Sequence, residues 1–412
     1  MQGNHRWKLF SMMVLQFFIW GAWLPVLFDI MGGLQFGDSE KAWIGSAFAV
    51  ASIVGIFFSN QFADRAFAAE RFLAFSHLVG GLALGGLYYA DSFSLFFPLM
   101  LVHSLLYVPT ISVTNSLAFA NMADPQKEFG IVRMGGTVGW ILAQWPLYFI
   151  LKEFPPEQAL QAKRAVFLVG GIASLLLAAF SMTLPHTPPK PAAASGGGLA
   201  LFRAASLLKV PFVLALFVVT LIDATVHNGY FVLTFTFLDK VGFEPGLIMP
   251  VMSIGQVAEV GTMAVLGLAL KKLGWKTTLT LGVLGHVARF GVFALTKDHT
   301  AIMVVQILHG ICYAFFFATV YIFVDAYFPK DIRSSAQGLF NLQILGIGAL
   351  IANSICPWLM QSVYTTNKLV NFKGLFLVPL FASTAAAVAL ALFFHPPKSV
   401  AAATSGGSAP AH

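Results

Sequence analysis

The amino-acid sequence predicts an all-α membrane protein with twelve transmembrane helices, arranged as two pseudo-symmetric halves of six. Of its 412 residues, 58% are hydrophobic and only 10% are charged, which lies far outside the range of soluble domains. Apolar stretches such as LFSMMVLQFFIWGAWLPVLF and GLFLVPLFASTAAAVALALFF reach the length of about 20 residues that a helix needs to cross a bilayer. Only helices and closed barrels can span a bilayer, and apolar runs this long are not barrel strands.

About twelve such segments follow one another along the chain. They begin near residues 8, 42, 71, 94, 131, 163, 209, 245, 276, 300, 333 and 370. The first stretch is long and has no clear small-residue cleavage site, so we expect an uncleaved helix and not a signal peptide. An even number of spans places both termini on one side of the membrane.

The positive charges indicate which side that is. With cytoplasmic termini, about fifteen Lys and Arg lie inside against about eight outside, clustered in DRAFAAER, LKKLGWK and FPKDIR. The formal net charge of +7 is therefore an orientation signal, and nucleic-acid binding is not expected. Cys312 and Cys356 both fall inside predicted helices, so the sequence indicates neither a disulfide framework nor a metal site. No cofactor is expected.

Residues 186–208, HTPPKPAAASGGGLALFRAASLL, interrupt the hydrophobic pattern with prolines and a Ser-Gly run. This composition predicts a flexible cytoplasmic linker followed by a short interfacial segment. The linker separates an N-terminal six-helix bundle (1–185) from a C-terminal six-helix bundle (209–396), and residues 397–412 are predicted to form a disordered cytoplasmic tail. Two parallel repeats of this kind hold their solute between them near the middle of the membrane.

Ionisable and polar side chains inside the spans are functional candidates, because burying them in lipid is costly. Arg133, Thr137 and Trp140 in GIVRMGGTVGW are spaced i, i+4, i+7 and so share one face of span 5. That face offers a solute the guanidinium N–H donors of Arg133, the hydroxyl of Thr137 and the flat ring of Trp140. The alternative is that Arg133 only anchors the end of the helix at the lipid headgroups.

Span 8 carries Gln256 and Glu259, at i and i+3, about half-way through the bilayer. A carboxylate at that depth has to be paired, protonated or exposed to water, and one that changes its protonation when solute binds is suited to proton coupling. If the protein is a symporter, Glu259 is the first choice for the proton site, with Arg133 near enough to tune it. A structural ion pair with Arg133 or Arg289 is an alternative compatible with that role.

Spans 7 and 10 each carry a further cluster. Asp223, His227 and Asn228 suit the binding of solute hydroxyls or a proton relay, and equally a hydrogen-bond network between helices. His309 and Tyr313 lie on an aromatic stripe, which is usually packing, but a histidine and a phenol on that stripe make ligand binding an equal alternative. The candidates for proton coupling are therefore Glu259, Asp223, His227 and His309.

Charged residues at the cytoplasmic ends predict gate contacts. Asp325 is expected to pair with Lys330 or Arg333 and to hold the inner gate. Asp64 and Arg65, followed by Glu70 and Arg71, predict a similar latch after span 2.

Gln16, Trp20 and Trp23 lie along one side of span 1, too deep for an interfacial belt, and are interpreted as part of a cavity wall. Across several helices the sequence thus combines flat rings with hydrogen-bonding groups. This combination suits a solute with one planar face and several hydroxyls.

The twelve spans, the central linker and FADRAFAAER resemble the major facilitator superfamily over essentially the whole chain. Within it, LQFFIWGAWL, VPTISVTNSLAF, RMGGTVGW, TLPHTP, GQVAE and RSSAQGLF are similar to the nucleoside:proton symporter family. The resemblance implies a carrier that imports nucleosides by alternating access, coupled to protons. It also implies a monomer in the bacterial cytoplasmic (inner) membrane.

The resemblance also implies roles for individual residues. Direct contact with the nucleoside is implied for Arg133, Thr137, Gln256 and Glu259. Trp140, His309 and Tyr313 lie at positions that belong to the pocket in that family, although the family has different side chains there. The equivalents in span 7 are Asn228 or His227, together with Phe231.

One departure from the family pattern leaves the coupling open. The position after Tyr313 is acidic in characterised members and serves proton coupling there, whereas here it is Ala314. Coupling through Glu259, Asp223 or a histidine, coupling to another ion, and uncoupled facilitation are therefore all compatible with the sequence.

Other functions are also compatible with parts of the sequence. The oligosaccharide:proton symporters share the Arg, Gly and Trp spacing of span 5, an Arg like Arg289 and a His like His309, but the motifs in spans 1, 4 and 11 favour nucleosides. A receptor or scaffold built on a carrier fold is a further alternative. An intramembrane enzyme is disfavoured, because no catalytic Ser/His or metal-ligand constellation stands out at helical spacing.

Overall fold

The computed structural model describes residues 5–122, 125–188, 205–329 and 333–396, with side chains for all of these except 55–66, 125–130, 156 and 333–335. This part of the chain is almost entirely helical. Its only strands are Thr365–Thr366 and Leu369–Val370, a two-stranded antiparallel hairpin in which Thr365 pairs with Val370. Asn367 and Lys368 form its turn, and both have positive φ angles.

The N-terminal part of the described chain contains eight α-helices. They are α1 (Arg6–Trp23), α2 (Leu27–Gly33), α3 (Asp38–Ala66), α4 (Ala69–Gly86), α5 (Phe93–Ala120), α6 (Pro125–Ala143), α7 (Pro146–Glu153) and α8 (Ala159–Ser181). Short 3₁₀ turns at Leu24–Val26, Leu87–Tyr89 and Pro156–Gln158 connect or extend them.

The C-terminal part of the described chain contains eight more. They are α9 (Pro211–Lys240), α10 (Pro245–Leu295), α11 (His299–Val305), α12 (Leu308–Ile311), α13 (Thr319–Tyr327), α14 (Arg333–Asn341), α15 (Gly348–Trp358) and α16 (Phe372–Phe393). A 3₁₀ turn, Leu207–Lys209, precedes α9, and three π-helical segments lie at Cys312–Ala318, Leu342–Ile347 and Leu359–Val363.

Among the described residues, nine helices are long and apolar enough to cross a membrane. One of them, α10, has 51 residues, about twice the length of a span, and covers predicted spans 8 and 9. It is interrupted in LKKLGWK at Gly274, whose φ of +74° is non-helical. Predicted spans 2 and 5 fall on α3 and α6, which include side chains outside the described set. The all-helical fold class is confirmed, and the count of twelve stays a prediction.

The chain forms two compact units, which are described separately. Unit 1 consists of Met1–Ala193, Tyr230–Ser253 and Asn353–Trp358. Unit 2 consists of Ala194–Gly229, Ile254–Ala352 and Leu359–His412. The predicted division into bundles at 1–185 and 209–396 stays a prediction. Most of the predicted linker (189–204) and the whole predicted tail (397–412) lie outside the described residues.

In unit 1, α1 and α6 touch backbone to backbone through the glycines of RMGGTVGW. A Cβ atom at Gly135 would lie 2.6 Å from the carbonyl oxygen of Phe10, and one at Gly139 would overlap the carbonyl oxygen of Val14. Only glycine therefore permits this approach, as in other tightly packed membrane helices. The contact fixes the rotation of α6, and with it the direction of the residues between the glycines.

In unit 2, glycines again set the distances between helices. A Cβ at Gly282 would lie 2.7 Å from the backbone nitrogen of Phe316, and one at Gly255 would lie 2.7 Å from the Cβ of His309. A Cβ at Gly310 would overlap the backbone nitrogen of Glu259. Both halves of α10 thus pack against the segment His299–Tyr327 with almost no space between the backbones.

Candidate functional site

The polar face predicted on span 5 lies on α6 and faces aromatic side chains of α1. The guanidinium carbon of Arg133 lies 4.3 Å from the centre of the Phe17 ring, which is a cation–π contact. One turn further, Thr137 is half-buried and makes no hydrogen bond to any described residue. At the next turn, Trp140 meets the ring of Trp20 edge-on, with 5.3 Å between centroids.

These rings belong to a larger aromatic wall of unit 1. The wall consists of Phe17, Trp20, Phe48, Trp140 and Phe231. Trp20 stacks on Phe48 at 4.6 Å and 12°, while Trp140 meets Phe231 at 5.9 Å and 69°. The structure therefore brings together Arg133, Trp140 and Phe231, three residues assigned to the site from sequence. Phe17, Phe48 and Trp140 are buried, and the wall is partly exposed at Trp20 and Phe231, with cationic and hydroxyl donors along one edge.

The prediction that Gln16 lines the cavity is wrong. Gln16 is fully buried, its Nε2 donates to Thr110 Oγ1 at 2.8 Å, and its Oε1 lies 2.9 Å from Nε2 of His77. The hydroxyl of Tyr107 also donates to the Gln16 carbonyl. Trp23 is likewise buried, with its ring edge-on to His103. A buried amide is stable only when hydrogen-bonded, and here α4 and α5 supply the partners.

This buried network in unit 1 was not predicted. His77 Nδ1 lies 3.1 Å from Ser174 Oγ, and His103 Nδ1 lies 3.0 Å from the carbonyl oxygen of Gly80. Both histidines are fully buried beside Tyr107. The signal was present in the sequence, since each histidine lies inside a predicted span and each needs a partner there.

A second buried cluster, the Arg289 cluster, lies in unit 2 and consists of Asp223, His227, His286, Arg289 and His309. Arg289 is completely buried. Its Nη1 lies 2.7 Å from Nδ1 of His309, and its Nη2 lies 2.8 Å from Nδ1 of His286. Arginine stays protonated in proteins, so both guanidinium nitrogens donate and both imidazole nitrogens accept.

We call the two hydrogen bonds from Arg289 to His286 and His309 the fork. The other residues of the cluster, Asp223 and His227, lie around it. Nε2 of His286 lies 3.6 Å from Oδ2 of Asp223. The ring of His227 lies 4.8 Å from that of His309 and 5.7 Å from that of His286. The structure thus brings together Asp223, His227 and His309, three of the four candidates for proton coupling. His286 was missed, although its spacing of i, i+3 from Arg289 in LGHVARF was a readable signal.

The remaining predicted solute ligands of unit 2 lie around the Arg289 cluster. Nδ2 of Asn228 donates to the carbonyl oxygens of Ala224 (2.8 Å) and Ile344 (3.3 Å), and no bond to a described residue occupies its Oδ1. Gln256 is buried without a hydrogen bond to any described residue, and Glu259 is half-buried.

Tyr313 lies in the π-helical segment Cys312–Ala318, with its ring 6.3 Å from that of His227. The first turn of that segment also contains Ala314. π-Helical segments inside transmembrane helices frequently mark functional sites, because they leave backbone groups out of the regular hydrogen-bond ladder.

The predicted gate residues are only partly described. The side chains of Asp64, Arg65 and Arg333 lie outside the described set, and Lys330 lies outside the described residues altogether. Asp325 is exposed.

Glu70 has a different arrangement from the expected latch. Its carboxylate lies 2.7 Å from Nδ1 of His186 and accepts the backbone N–H of Thr187 at 3.0 Å. Asn121 donates to Thr187 Oγ1 at 2.8 Å, so TLPHTP is bound to the ends of α4 and α5.

Comparison with known proteins decides the family. The model of the nucleoside H+ symporter family matches residues 3–399, nearly the whole chain. The chain belongs to this family. Individual members resemble it over most of their length. The putative nucleoside transporter YegT of Escherichia coli K12 is 31% identical over 370 residues, covering 88% of this chain and 86% of that protein.

One more relative and two solved structures are also similar to the chain. The xanthosine permease of the same organism is 30% identical over 411 residues, 94% of each chain. The crystal structure of the nucleoside transporter NupG superimposes on this chain with a TM-score of 0.82 at 23% identity, covering 96% of this chain and all of NupG. A D-xylose-proton symporter superimposes with a TM-score of 0.73 at 13% identity, covering 96% and 98% of the two chains. The last two comparisons confirm the fold class predicted from the sequence.

Proposed function

We propose that the protein imports nucleosides by alternating access and couples their import to protons. The observation that carries this proposal is the Arg133 edge of the aromatic wall: a cation and a half-buried hydroxyl follow one another along α6, beside the half-buried indole of Trp20 on α1. A nucleoside has a planar base and a ribose with hydroxyls, and this surface complements both parts. Family membership and the names of the relatives, nucleoside permeases and a xanthosine permease, support the same solute class.

In this proposal the base stacks against Trp140 or Trp20, while Arg133 and Thr137 donate to acceptors on the solute. Such stacking contributes about 1 kcal/mol beyond the area that it buries. The unit 2 ligands act by hydrogen bonding: Gln256 and Asn228 offer both donors and acceptors, and a carboxylate at Glu259 accepts from hydroxyls. Phe231 in unit 1, and His309 and Tyr313 in unit 2, are further residues that we propose to contact the nucleoside.

Transport needs two conformations that bind the solute alternately from each side, with no covalent chemistry. We place the inner gate at Asp325 and Arg333 and at Asp64 and Arg65. The chain is proposed to act as a monomer in the cytoplasmic membrane of a bacterium, with both termini in the cytoplasm.

Uptake of labelled uridine and adenosine into proteoliposomes tests the proposal. Transport is measured with and without an acidic exterior, and with excess lactose as competitor. We expect accumulation that requires the pH gradient and is insensitive to lactose. Equilibration without accumulation would leave an uncoupled facilitator, and lactose-sensitive or absent nucleoside flux would contradict nucleoside transport.

A further inference from the structure

The Arg289 cluster has a geometry that restricts where a proton can be bound. Arg289 directs Nη1 at Nδ1 of His309 and Nη2 at Nδ1 of His286, at 2.7 and 2.8 Å. Neither imidazole can carry a proton on Nδ1 without placing it against a guanidinium N–H. Each ring is therefore neutral with its proton on Nε2, and protonation of either would break the fork.

Asp223 can gain a proton without disturbing the fork and without adding a cation, whereas a proton on His227, which lies outside the fork, would place a second buried cation near Arg289. Its carboxylate is completely buried, and neither oxygen accepts a hydrogen bond from a described residue. At 3.6 Å, Nε2 of His286 is too far for a good hydrogen bond but near enough for electrostatic attraction. The ionised carboxylate balances the charge of Arg289, and the protonated acid leaves the cluster with one net positive charge.

The ionisable surroundings of Asp223 come from three helices. His227 lies one turn further along α9, His286 and Arg289 belong to α10, and His309 and Cys312 belong to the segment His299–Tyr327. The helix that packs against Ala224 through Gly348 adds no charged side chain between residues 342 and 358. Arg289 stays positively charged, so the charge of Asp223 is the main charge that can change at this site.

The fork connects this charge to the proposed solute site. His309, which Arg289 holds, packs its Cβ where Gly255 has no side chain, and the adjacent Gly310 touches the backbone of Glu259. A shift of Arg289 toward or away from Asp223 therefore moves the His309 side chain, which lies against Gly255, while the next residue, Gly310, touches the backbone of Glu259, so that both contacts flank Gln256. Close-packed contacts of this kind transmit displacements because there is no empty volume to absorb them.

We infer that Asp223 carries the coupled proton and that His286 and Arg289 are positioning residues for it, an inference that rests on the proposed proton-coupled transport. The carboxylate takes a proton from a hydronium ion on the acidic side, which breaks an O–H bond of that ion, leaves water and forms the O–H bond of the acid. After the conformational change this bond breaks, and the proton passes to water on the cytoplasmic side.

Infrared difference spectroscopy on the purified protein tests this assignment without requiring transport. A pH step should change the carbonyl band of a protonated, buried carboxylic acid in the wild type. Asp223→Asn should remove that change, whereas Asp91→Asn, a substitution of an exposed carboxylate, should retain it. Loss of the band change in Glu259→Gln together with its persistence in Asp223→Asn would assign the proton to Glu259 and overturn the inference.

Transport assays separate this inference from the proposed function. Asp223→Asn should lose accumulation against a gradient and retain counterflow exchange of nucleoside. If the wild type accumulates nucleoside and Asp223→Asn does so equally well, the inference fails while the proposed function stands. If the wild type moves no nucleoside at all, the proposed function fails.

The positioning role of His286 has its own readout, the pH at which accumulation is half-maximal. His286→Ala should shift this pH, because Asp223 loses its neighbour and Arg289 loses an acceptor. His286→Asn should restore it, since the Asn amide oxygen can take the place of Nδ1. Abolished coupling in His286→Asn would make the imidazole itself the proton carrier and contradict the inference.

Discussion

Arg133 lies over the face of Phe17, with its guanidinium carbon 4.3 Å from the ring centre, and forms no ion pair with a described residue. The interaction orients the cation and leaves its N–H groups available. A headgroup anchor has no need of such an arrangement, because an arginine at an interface extends toward water.

Replacing Arg133 with Gln should weaken nucleoside binding strongly. A hydrogen bond from a charged donor contributes about 2 kcal/mol, so the dissociation constant should rise roughly 30-fold. Calorimetry on the purified protein measures this. Lys373→Gln, at an exposed position on α16, is the matched control and should bind normally. Normal binding in Arg133→Gln would restore the alternative of a headgroup anchor.

Gly139→Ala should destabilise the contact between α1 and α6, because the added methyl group overlaps the carbonyl oxygen of Val14. Overpacking of this kind costs about 1–3 kcal/mol and here also turns the Arg133 face. The melting temperature and uptake should both fall. Gly85→Ala is the control: nothing lies within 4 Å of its Cβ position, so that variant should be at least as stable as the wild type. If Gly139→Ala and the wild type had the same melting temperature, the backbone contact between α1 and α6 would be refuted.

The ion pair of Asp29 with Lys163 should contribute measurably to stability. Nζ of Lys163 lies 2.7 Å from Oδ2 of Asp29, and the two side chains are only 12% and 14% exposed. Asp29→Asn should cost about 2 kcal/mol. The neighbouring pair of Arg164 with Asp91 is a matched control, because Asp91 is 76% exposed and its replacement by Asn should cost under about 1 kcal/mol.

A double-mutant cycle checks the origin of that effect. If the cost comes from the pair, the melting temperatures of Asp29→Asn, Lys163→Met and the double variant should be non-additive. Additive losses would show that the two side chains act independently.

Glu70→Ala should release TLPHTP from the end of α4. Glu70 accepts the N–H of Thr187, so this amide should exchange with deuterium about 5- to 30-fold faster if the lost contacts contribute about 1–2 kcal/mol. Exchange measured by mass spectrometry on a peptide covering 183–188 reports this. Glu153→Ala, at an exposed position, should leave the exchange unchanged. Unaltered exchange in Glu70→Ala would mean that other contacts hold the segment.

Some features of the fold and of the site follow from the sequence alone. Hydropathy determines the helical membrane class, since lipid leaves the backbone few alternatives. Helical spacing correctly placed Arg133, Thr137 and Trp140 on one face, because these residues lie within two turns of one helix. The same reasoning failed for Gln16. Its helical spacing from Trp20 and Trp23 can be read from the sequence, but its hydrogen-bond partners, Thr110 and His77, come from other helices.

The sequence by itself thus determined which residues are too costly to place in lipid without a purpose, among them Arg133, Asp223, Glu259 and His309. Only the tertiary structure decided their partners. The fork joins Arg289 to His286, 3 positions away, and to His309, 20 positions away, and it depends on helix contacts that Gly255, Gly282 and Gly310 permit. Burial cost is a property of a single side chain and its segment, whereas a hydrogen bond requires two atoms whose separation is fixed by the packing of the helices around them.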